Sequence, residues 1–379
     1  MITSYCADKV FTGSEWLADT AVLCENGLVK DLMPIENLPH DIEVVNRFLV
    51  IAPALIDIQI YGASSKLFSI HPNPDTLQKM NDYCRRGGAA YFLPTISTNT
   101  IDIFKKGIDA IKEYWDNEGK GVIGLHIEGP WINKVKRGAH LEYLIHEPSV
   151  DEVKSLLEYG KGIIKIITLA PEVCSDAVIN LIKSYGVIIS AGHSNATYSE
   201  SMNAFDNGIN VATHLFNAMT ALHHREPGFA AAIMMHPSVM VSVVPDGLHV
   251  DFTMIKLAKK LMGERLFIIT DAVTETNEGP YRHTFDGDKY VTGSILSGSA
   301  LTMIRGVKNC VDKCDIPFDE ALRMASLYPA KVLGLDNKIG RIEKGFNADL
   351  VMLNEQMEVL HCSGDFVPVH LHAGSNTNN

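Results

Sequence analysis

Eight short, nearly uninterrupted apolar runs with helical patterns between them constrain this chain more than any other feature. They occupy residues 55–60, 90–94, 122–127, 163–169, 187–190, 210–213, 240–244 and 266–270, and are rich in Val and Ile. A run of that length without polar alternation suits a strand buried on both faces, because neither face meets water. Amphipathic segments at 76–86, 101–115, 150–159, 175–185, 199–207 and 252–262 separate them. Strand and helix alternating eight times predict an α/β fold, a (β/α)8 barrel of the TIM type. An open doubly wound sheet is the rival. It usually carries a glycine fingerprint after its first strand, and "IDIQIYGAS" at 56–64 is not one.

The flanks read differently. Residues 1–52 hold short alternating strands and turn signals ("VFTGSEW", "LCENGLVKDLMP"), and "KIGRIEKGFNADLVMLN" from 338 looks similar. Neither flank has enough apolar residues for a core of its own. The expectation is therefore a small β-sandwich domain formed by both chain ends, 1–52 plus 338–379, beside a barrel at 53–337. The last residues, 374–379 ("GSNTNN"), read as a frayed tail.

Charge narrows the partners. Of 379 residues, 33 are Lys or Arg and 45 are Asp or Glu, a net charge of −12 with no basic cluster. Such a surface repels polyanions, which argues against nucleic acid or an anionic membrane as the main partner. A phosphorylated substrate would need local positive charge. Seven scattered cysteines, an odd number in a chain too large to need staples, read as reduced thiols and a cytoplasmic setting. The closest pair, Cys310 and Cys314, reads as packing. The N-terminus has neither an apolar run nor a basic leader, so no signal peptide is expected. The most apolar stretch, 229–244, is interrupted by His236, Pro237 and Ser238 and is too short to span a bilayer.

In a barrel of this kind, polar residues at the C-terminal ends of the strands face the substrate. Those ends carry Gln59 and Tyr61 (strand one), Glu128 in "LHIEGP" (three), His193 in "SAGHSNAT" (five), His214 in "ATHLFNAM" (six), Asp246 and His249 in "PDGLHVD" (seven) and Asp271 in "IITDA" (eight). Glu128, His193 and His214 can converge on one divalent ion and leave positions open, the pattern of a catalytic site. Asp271 across the mouth would be the base. Any one strand-end His among fifteen is more often a hydrogen-bonded core or rim residue. Three candidate ligands plus a carboxylate on four strand ends would ask packing to explain four coincidences. Lys165 lies too early in strand four for a metal-bridging lysine and reads as structural or a rim charge. His126 shares the side of Glu128 and reads as a supporting residue.

The set "PALIDIQIYG", "LHIEGP", "RGAH", "GHSNAT", "THLFNAM", "DGLHVD", "ITDA" and "SGSALTM" resembles the amidohydrolase superfamily and, within it, the N-acetylglucosamine-6-phosphate deacetylase family. The resemblance implies a metal-dependent deacetylase producing glucosamine 6-phosphate and acetate in amino-sugar catabolism. By that resemblance Glu128, His193 and His214 are metal ligands, Asp271 is general base and acid, and His140 helps to stabilise the oxyanion. Most amidohydrolases end strand one with His-x-His and build a two-metal site; here those positions hold Gln59 and Tyr61. Gln is a poor ligand and a buried Tyr stays protonated, so the expectation is one divalent ion per subunit, zinc with iron(II) as the alternative.

For the sugar, the resemblance implies Ala139 and His140, Asn217 and Ala218, Asp246, Gly247, Leu248 and His249, and Leu296, Ser297 and Gly298. Arg225 in "HHREPG" matches a phosphate-binding arginine, whose forked guanidinium suits a phosphate dianion. The resemblance also implies a homo-oligomer, dimer or tetramer, in which a neighbouring subunit can contribute to the phosphate site. The alternatives are the deacetylase of the epimeric N-acetylgalactosamine 6-phosphate, a cyclic amidohydrolase of the dihydroorotase or hydantoinase kind, and a non-catalytic amino-sugar-binding barrel.

Overall fold

The computed structural model describes residues 2–364. The part of the expected second segment beyond 364, the terminal tail included, lies outside the described residues. All eight apolar runs lie on strands of one parallel sheet: Leu55–Ile60, Ala89–Ser97, Leu125–Glu128, Ile164–Leu169, Ile188–Ala191, Val211–Ala212, Met240–Val243 and Leu266–Ile268. They pair in sequence order from first to eighth. The sheet closes where the Asp271 N–H donates to the Gln59 carbonyl at 3.0 Å and the Tyr61 N–H to the Ala272 carbonyl at 2.9 Å. Asp57 clamps the same seam. It is buried and accepts from the Thr270 amide and hydroxyl and from the Gln59 amide. Burial pushes the Asp57 carboxyl up to about 7, with those hydrogen bonds opposing.

The outer helices begin where the sequence supplies caps. The side chains of Asn73, Thr100, Ser149 and Ser175 accept from backbone N–H groups in the first turns of Pro74–Arg86, Ile101–Asp116, Val150–Tyr159 and Asp176–Ser184. Thr197 and Glu200 form a reciprocal capping box on Tyr198–Asp206. Four helices, Gly228–Met235, Met303–Cys314, Phe318–Ala325 and Leu327–Val332, lie outside the amphipathic segments read from the sequence. Gly228–Met235 ("GFAAAIMM") is apolar on every side, so it has no amphipathic signature, and all but its last residue are buried.

Both chain ends meet in a six-stranded sheet, ordered Val359–Cys362, Leu350–Leu353, Glu43–Pro53, Ile2–Phe11, Trp16–Glu25, Leu28–Pro34. Its one parallel pair joins Ile2–Phe11 to Glu43–Pro53. The far edge is tied back, with Val29 N–H donating to the Phe346 carbonyl and Ala348 N–H to that of Gly27. The sheet thus curls around its own core, including Val10, Val22, Val29, Ile51, Leu350 and Met352. A second departure follows strand eight. Thr284–Asp286, Lys289–Thr292 and Ile295–Ser299 form a small antiparallel sheet before the last helices. Its strands are short, mix polar with apolar residues and are mostly exposed or half-exposed, so no buried-strand signal announces it.

Candidate active site

The parallel barrel delivers the predicted residues to one end. Glu128 is the last residue of strand three, and His193, His214 and Asp271 follow strands five, six and eight. The last three have φ of +48°, +36° and +54°, a left-handed conformation that costs a non-glycine residue roughly 1–2 kcal/mol. Strain at three strand ends on one face of the barrel marks a place where side-chain direction matters more than backbone ease.

Glu128 is the hub. Its Oε1 lies 3.2 Å from His214 Nε2 and 3.4 Å from His193 Nε2, and the two nitrogens are 3.0 Å apart. His140 Nε2 approaches Oε2 at 3.2 Å. Glu128, His140 and His193 also fit a mutual 4.8 Å limit for shared ligands, so distance alone leaves two candidate trios. Hydrogen bonds on the far ring nitrogens separate them. His193 Nδ1 faces the Lys136 carbonyl at 2.9 Å, which can only accept, so that nitrogen holds the proton and Nε2 presents a lone pair. His140 Nδ1 faces both the Thr98 N–H at 3.4 Å and the Thr98 hydroxyl at 2.7 Å, and with that amide donating to it the ring proton is on Nε2, facing Glu128. His140 is therefore a donor to Glu128, which leaves Glu128, His193 and His214 as the candidate trio, although His214 Nδ1 is buried with no partner among the described residues.

That trio fits a divalent cation. A carboxylate oxygen and two imidazole nitrogens packed this closely repel one another unless positive charge lies among them. Bonds of 2.0–2.1 Å in a tetrahedral shell would space such ligands at about 3.3 Å. Burial raises the Glu128 carboxyl, but the adjoining imidazoles, His140 first, outweigh it and hold the group well below the usual range. Burial and the neighbouring His140 push His193 down to about 4, against the pull of Glu128. At His214 burial is overcome by Glu128, and the net shift is upward.

Gln59 and Tyr61 sit between this trio and Asp271. Gln59 Nε2 is 3.0 Å from Glu128 Oε1, 2.9 Å from Asp271 Oδ1 and 2.7 Å from the Tyr61 hydroxyl. The Tyr61 hydroxyl donates to Glu128 Oε2 at 2.6 Å. An amide NH₂ thus stands between two carboxylates, where its protons do the work a second cation would do. Burial and the two carboxylates raise the Tyr61 pKa well above its usual value, which keeps it a donor. Burial also raises Asp271, opposed by His249 and His214. His249 is held by Asp246, whose Oδ2 accepts from Nδ1 at 2.6 Å, and its Nε2 is 3.5 Å from Asp271 Oδ2.

Of these groups Tyr61, Glu128, His140, His193, His214, His249 and Asp271 line one cavity of about 850 Å³, open mouth included, and Gln59 lies behind its wall. Ala139, Asn217, Ala218, Leu296, Ser297 and Gly298 line it as expected. Arg225 does not; it is exposed on the loop after strand six and makes no ion pair among the described residues. Asp246, Gly247 and Leu248 are also off the wall, and of that segment His249 alone faces it. Sequence reasoning missed Tyr281 and His283, wall residues carried by the unforeseen insertion. His126 lies within the barrel between the Ile58 carbonyl (2.9 Å) and Thr168 Oγ1 (2.8 Å), and Lys165 does not reach the cavity.

Comparison with known proteins bears on this geometry. The amidohydrolase family model matches residues 50–372, and that of the NagA composite domain matches 7–46. An N-acetylglucosamine-6-phosphate deacetylase of Haemophilus influenzae is 30% identical over 363 residues, covering 93% of this chain and 95% of its own length. An N-acetylgalactosamine-6-phosphate deacetylase of Escherichia coli is 29% identical, with the same 93% and 95% coverage. The crystal structure of N-acetylglucosamine-6-phosphate deacetylase from Pasteurella multocida superimposes with a TM-score of 0.91 at 30% identity, over 96% of this chain and 98% of the other.

Proposed function

The chain belongs to the amidohydrolase family, and from that premise we propose that it is a metal-dependent deacetylase. Its substrate is N-acetyl-D-glucosamine 6-phosphate, and its products are D-glucosamine 6-phosphate and acetate. One arrangement carries the reading: a buried carboxylate, Asp271, fixed by Gln59 and Tyr61 beside a Glu–His–His cluster in a cavity of ligand size.

Glu128, His193 and His214 would hold the ion. A divalent cation there, zinc or alternatively iron(II), supplies Lewis-acid polarisation and makes water acidic near neutral pH. Asp271 takes the proton of the water that attacks the acetamide carbon. His140, with its proton on Nε2, donates to the oxygen as the carbonyl becomes an oxyanion. Asp271 then passes the proton to the nitrogen as the C–N bond breaks, and acetate and the free amine result. One carboxylate serves both transfers.

The cavity wall supplies sugar contacts from Ala139, His140, Asn217, Ala218, His249 and Leu296–Gly298. We assign Arg225 to the substrate phosphate. Its exposure supports a site completed between two copies of the chain, a homodimer or a tetramer built from it, and Asp246–Leu248 shape the same rim. The free cysteines support a reducing, cytoplasmic setting. The small domain is assigned to 1–52 with 338–379, and the hydrolase barrel to 53–337.

The test is acetate release from N-acetylglucosamine 6-phosphate, its galacto epimer and unphosphorylated N-acetylglucosamine, with metal analysis of the same preparation. The expected result is one ion per chain and preference for the gluco 6-phosphate. Release from neither phosphate overturns the reading. Faster turnover of the epimer moves the assignment to the second substrate, which the Escherichia coli relative favours.

A further inference from the structure

His283 is a polar side chain in the cavity wall that neither the metal cluster nor the proton transfers use. It is 5% exposed. Its Nδ1 is 2.8 Å from Ser297 Oγ, and Nε2, the other ring nitrogen, has no partner among the described residues. The ring lines the same cavity as Glu128 and Asp271. With one ring nitrogen fixed and the other open to the cavity, the imidazole is placed to pair with a ligand that enters.

Its placement is rigid. The backbone of His283 exchanges two hydrogen bonds with Thr276, at 3.0 and 3.1 Å. Two residues earlier, the Tyr281 hydroxyl donates to the Thr98 carbonyl at 2.7 Å, and Thr98 Oγ1 lies 2.7 Å from His140 Nδ1. The insertion is thus tied to the wall that orients the oxyanion donor. Tyr61, Leu67, Val273 and Tyr281 pack together beneath it.

We propose that His283 is a specificity-determining residue whose Nε2 hydrogen-bonds a ring hydroxyl of the sugar, with Ser297 fixing the imidazole. The proposal rests on the deacetylase reading and deepens it. A hydroxyl is the matching group because the Ser297 hydroxyl can either donate to or accept from Nδ1. Nε2 is then correspondingly a donor or an acceptor, and a hydroxyl complements both. A phosphate dianion only accepts, so it could match Nε2 as a donor but not as an acceptor, and burial, which pushes His283 down to about 4, denies it a cation there.

The test uses the full-length metal-loaded enzyme with N-acetylglucosamine 6-phosphate and its 3-deoxy and 4-deoxy analogues. His283→Phe is expected to raise KM roughly tenfold with little change in kcat, the loss of one hydrogen bond to a neutral group. One deoxy analogue should lose a similar factor with the wild type and lose nothing further with His283→Phe. His283→Gln, which carries a polar group to about the place of Nε2, should recover most of the KM. If His283→Phe fails to fold, Ser297→Ala provides the same comparison with a smaller rise. Unchanged KM and unchanged deoxy penalties overturn the proposal, as does a lowered melting temperature with normal KM. Absence of turnover by the wild type overturns the deacetylase reading itself, and this inference with it; normal wild-type turnover with silent variants overturns the His283 role alone.

Discussion

Replacing Asp271 with Asn separates proton transfer from every other role the residue could have. Asp271 Oδ1 receives Gln59 Nε2 at 2.9 Å and the Tyr61 hydroxyl at 3.3 Å, and an asparagine carbonyl oxygen can accept both. What disappears is the ability to take a proton from water and return it to the amine. General acid–base catalysis contributes about 10²–10⁴ per transfer. With the same atom serving both, kcat should fall roughly 10³- to 10⁴-fold, or about 4–5.5 kcal/mol of barrier at 1.36 kcal/mol per decade. Metal content should be unchanged, because the proposed ligands Glu128, His193 and His214 are intact. Substrate affinity by calorimetry should stay within a few-fold. Acetate release followed across pH adds a second signature. The base must be ionised, so wild-type activity rises with pH through the Asp271 pKa, which burial places above the usual carboxylate value, and the variant should lose that limb. A variant retaining activity within tenfold of wild type would refute the reasoning. So would activity lost together with the metal, since Asp271 would then be a ligand.

Other consequences can be measured separately. Glu128→Gln should leave less than a tenth of the bound metal after dialysis and abolish turnover, as read by elemental analysis. Chelation of the wild type should lower its melting temperature, and adding metal back should restore it, because a ligand at a thousand times its Kd stabilises the fold by about 4 kcal/mol. Gln59→Glu would put a third carboxylate against Glu128 and Asp271; the acidic limb of the pH–rate profile should move to higher pH and kcat fall at least tenfold, whereas an unmoved limb would contradict the bridging role of the amide. Asp57 titrates at about 7 in the fold, so the native state holds its proton more tightly than the unfolded chain does. Stability from this group is therefore full at low pH and is lost as pH rises towards and through 7. Asp57→Asn should flatten that slope and raise the melting temperature at pH 8 but not at pH 4, by scanning calorimetry.

Much of the fold is legible in the sequence because its information is local and periodic. The eight apolar runs match the eight strands, and caps such as Thr197 with Glu200 sit within one turn of the helices they start. Where locality fails, so does the reading. Gly228–Met235 has no polar face to give it a period, and the short, mostly exposed strands at 284–299 have no continuous buried run.

The sequence by itself determined that Glu128, His193, His214 and Asp271 would share one end of the molecule, because a parallel barrel sends every strand's C-terminal end to the same face. Tertiary structure alone decided what each group does there. His140 and His193 both approach Glu128, and the difference between presenting a proton and presenting a lone pair lies in the Thr98 amide and the Lys136 carbonyl behind them, 42 and 57 residues away. Gln59 reads as a missing ligand in the sequence; in space its amide is a bridge between two carboxylates 69 and 212 residues distant. His283 has no motif at all and acquires its place only when the insertion folds over the cavity. Hydrogen bonds fix protonation, and they form between groups that the chain order does not bring together.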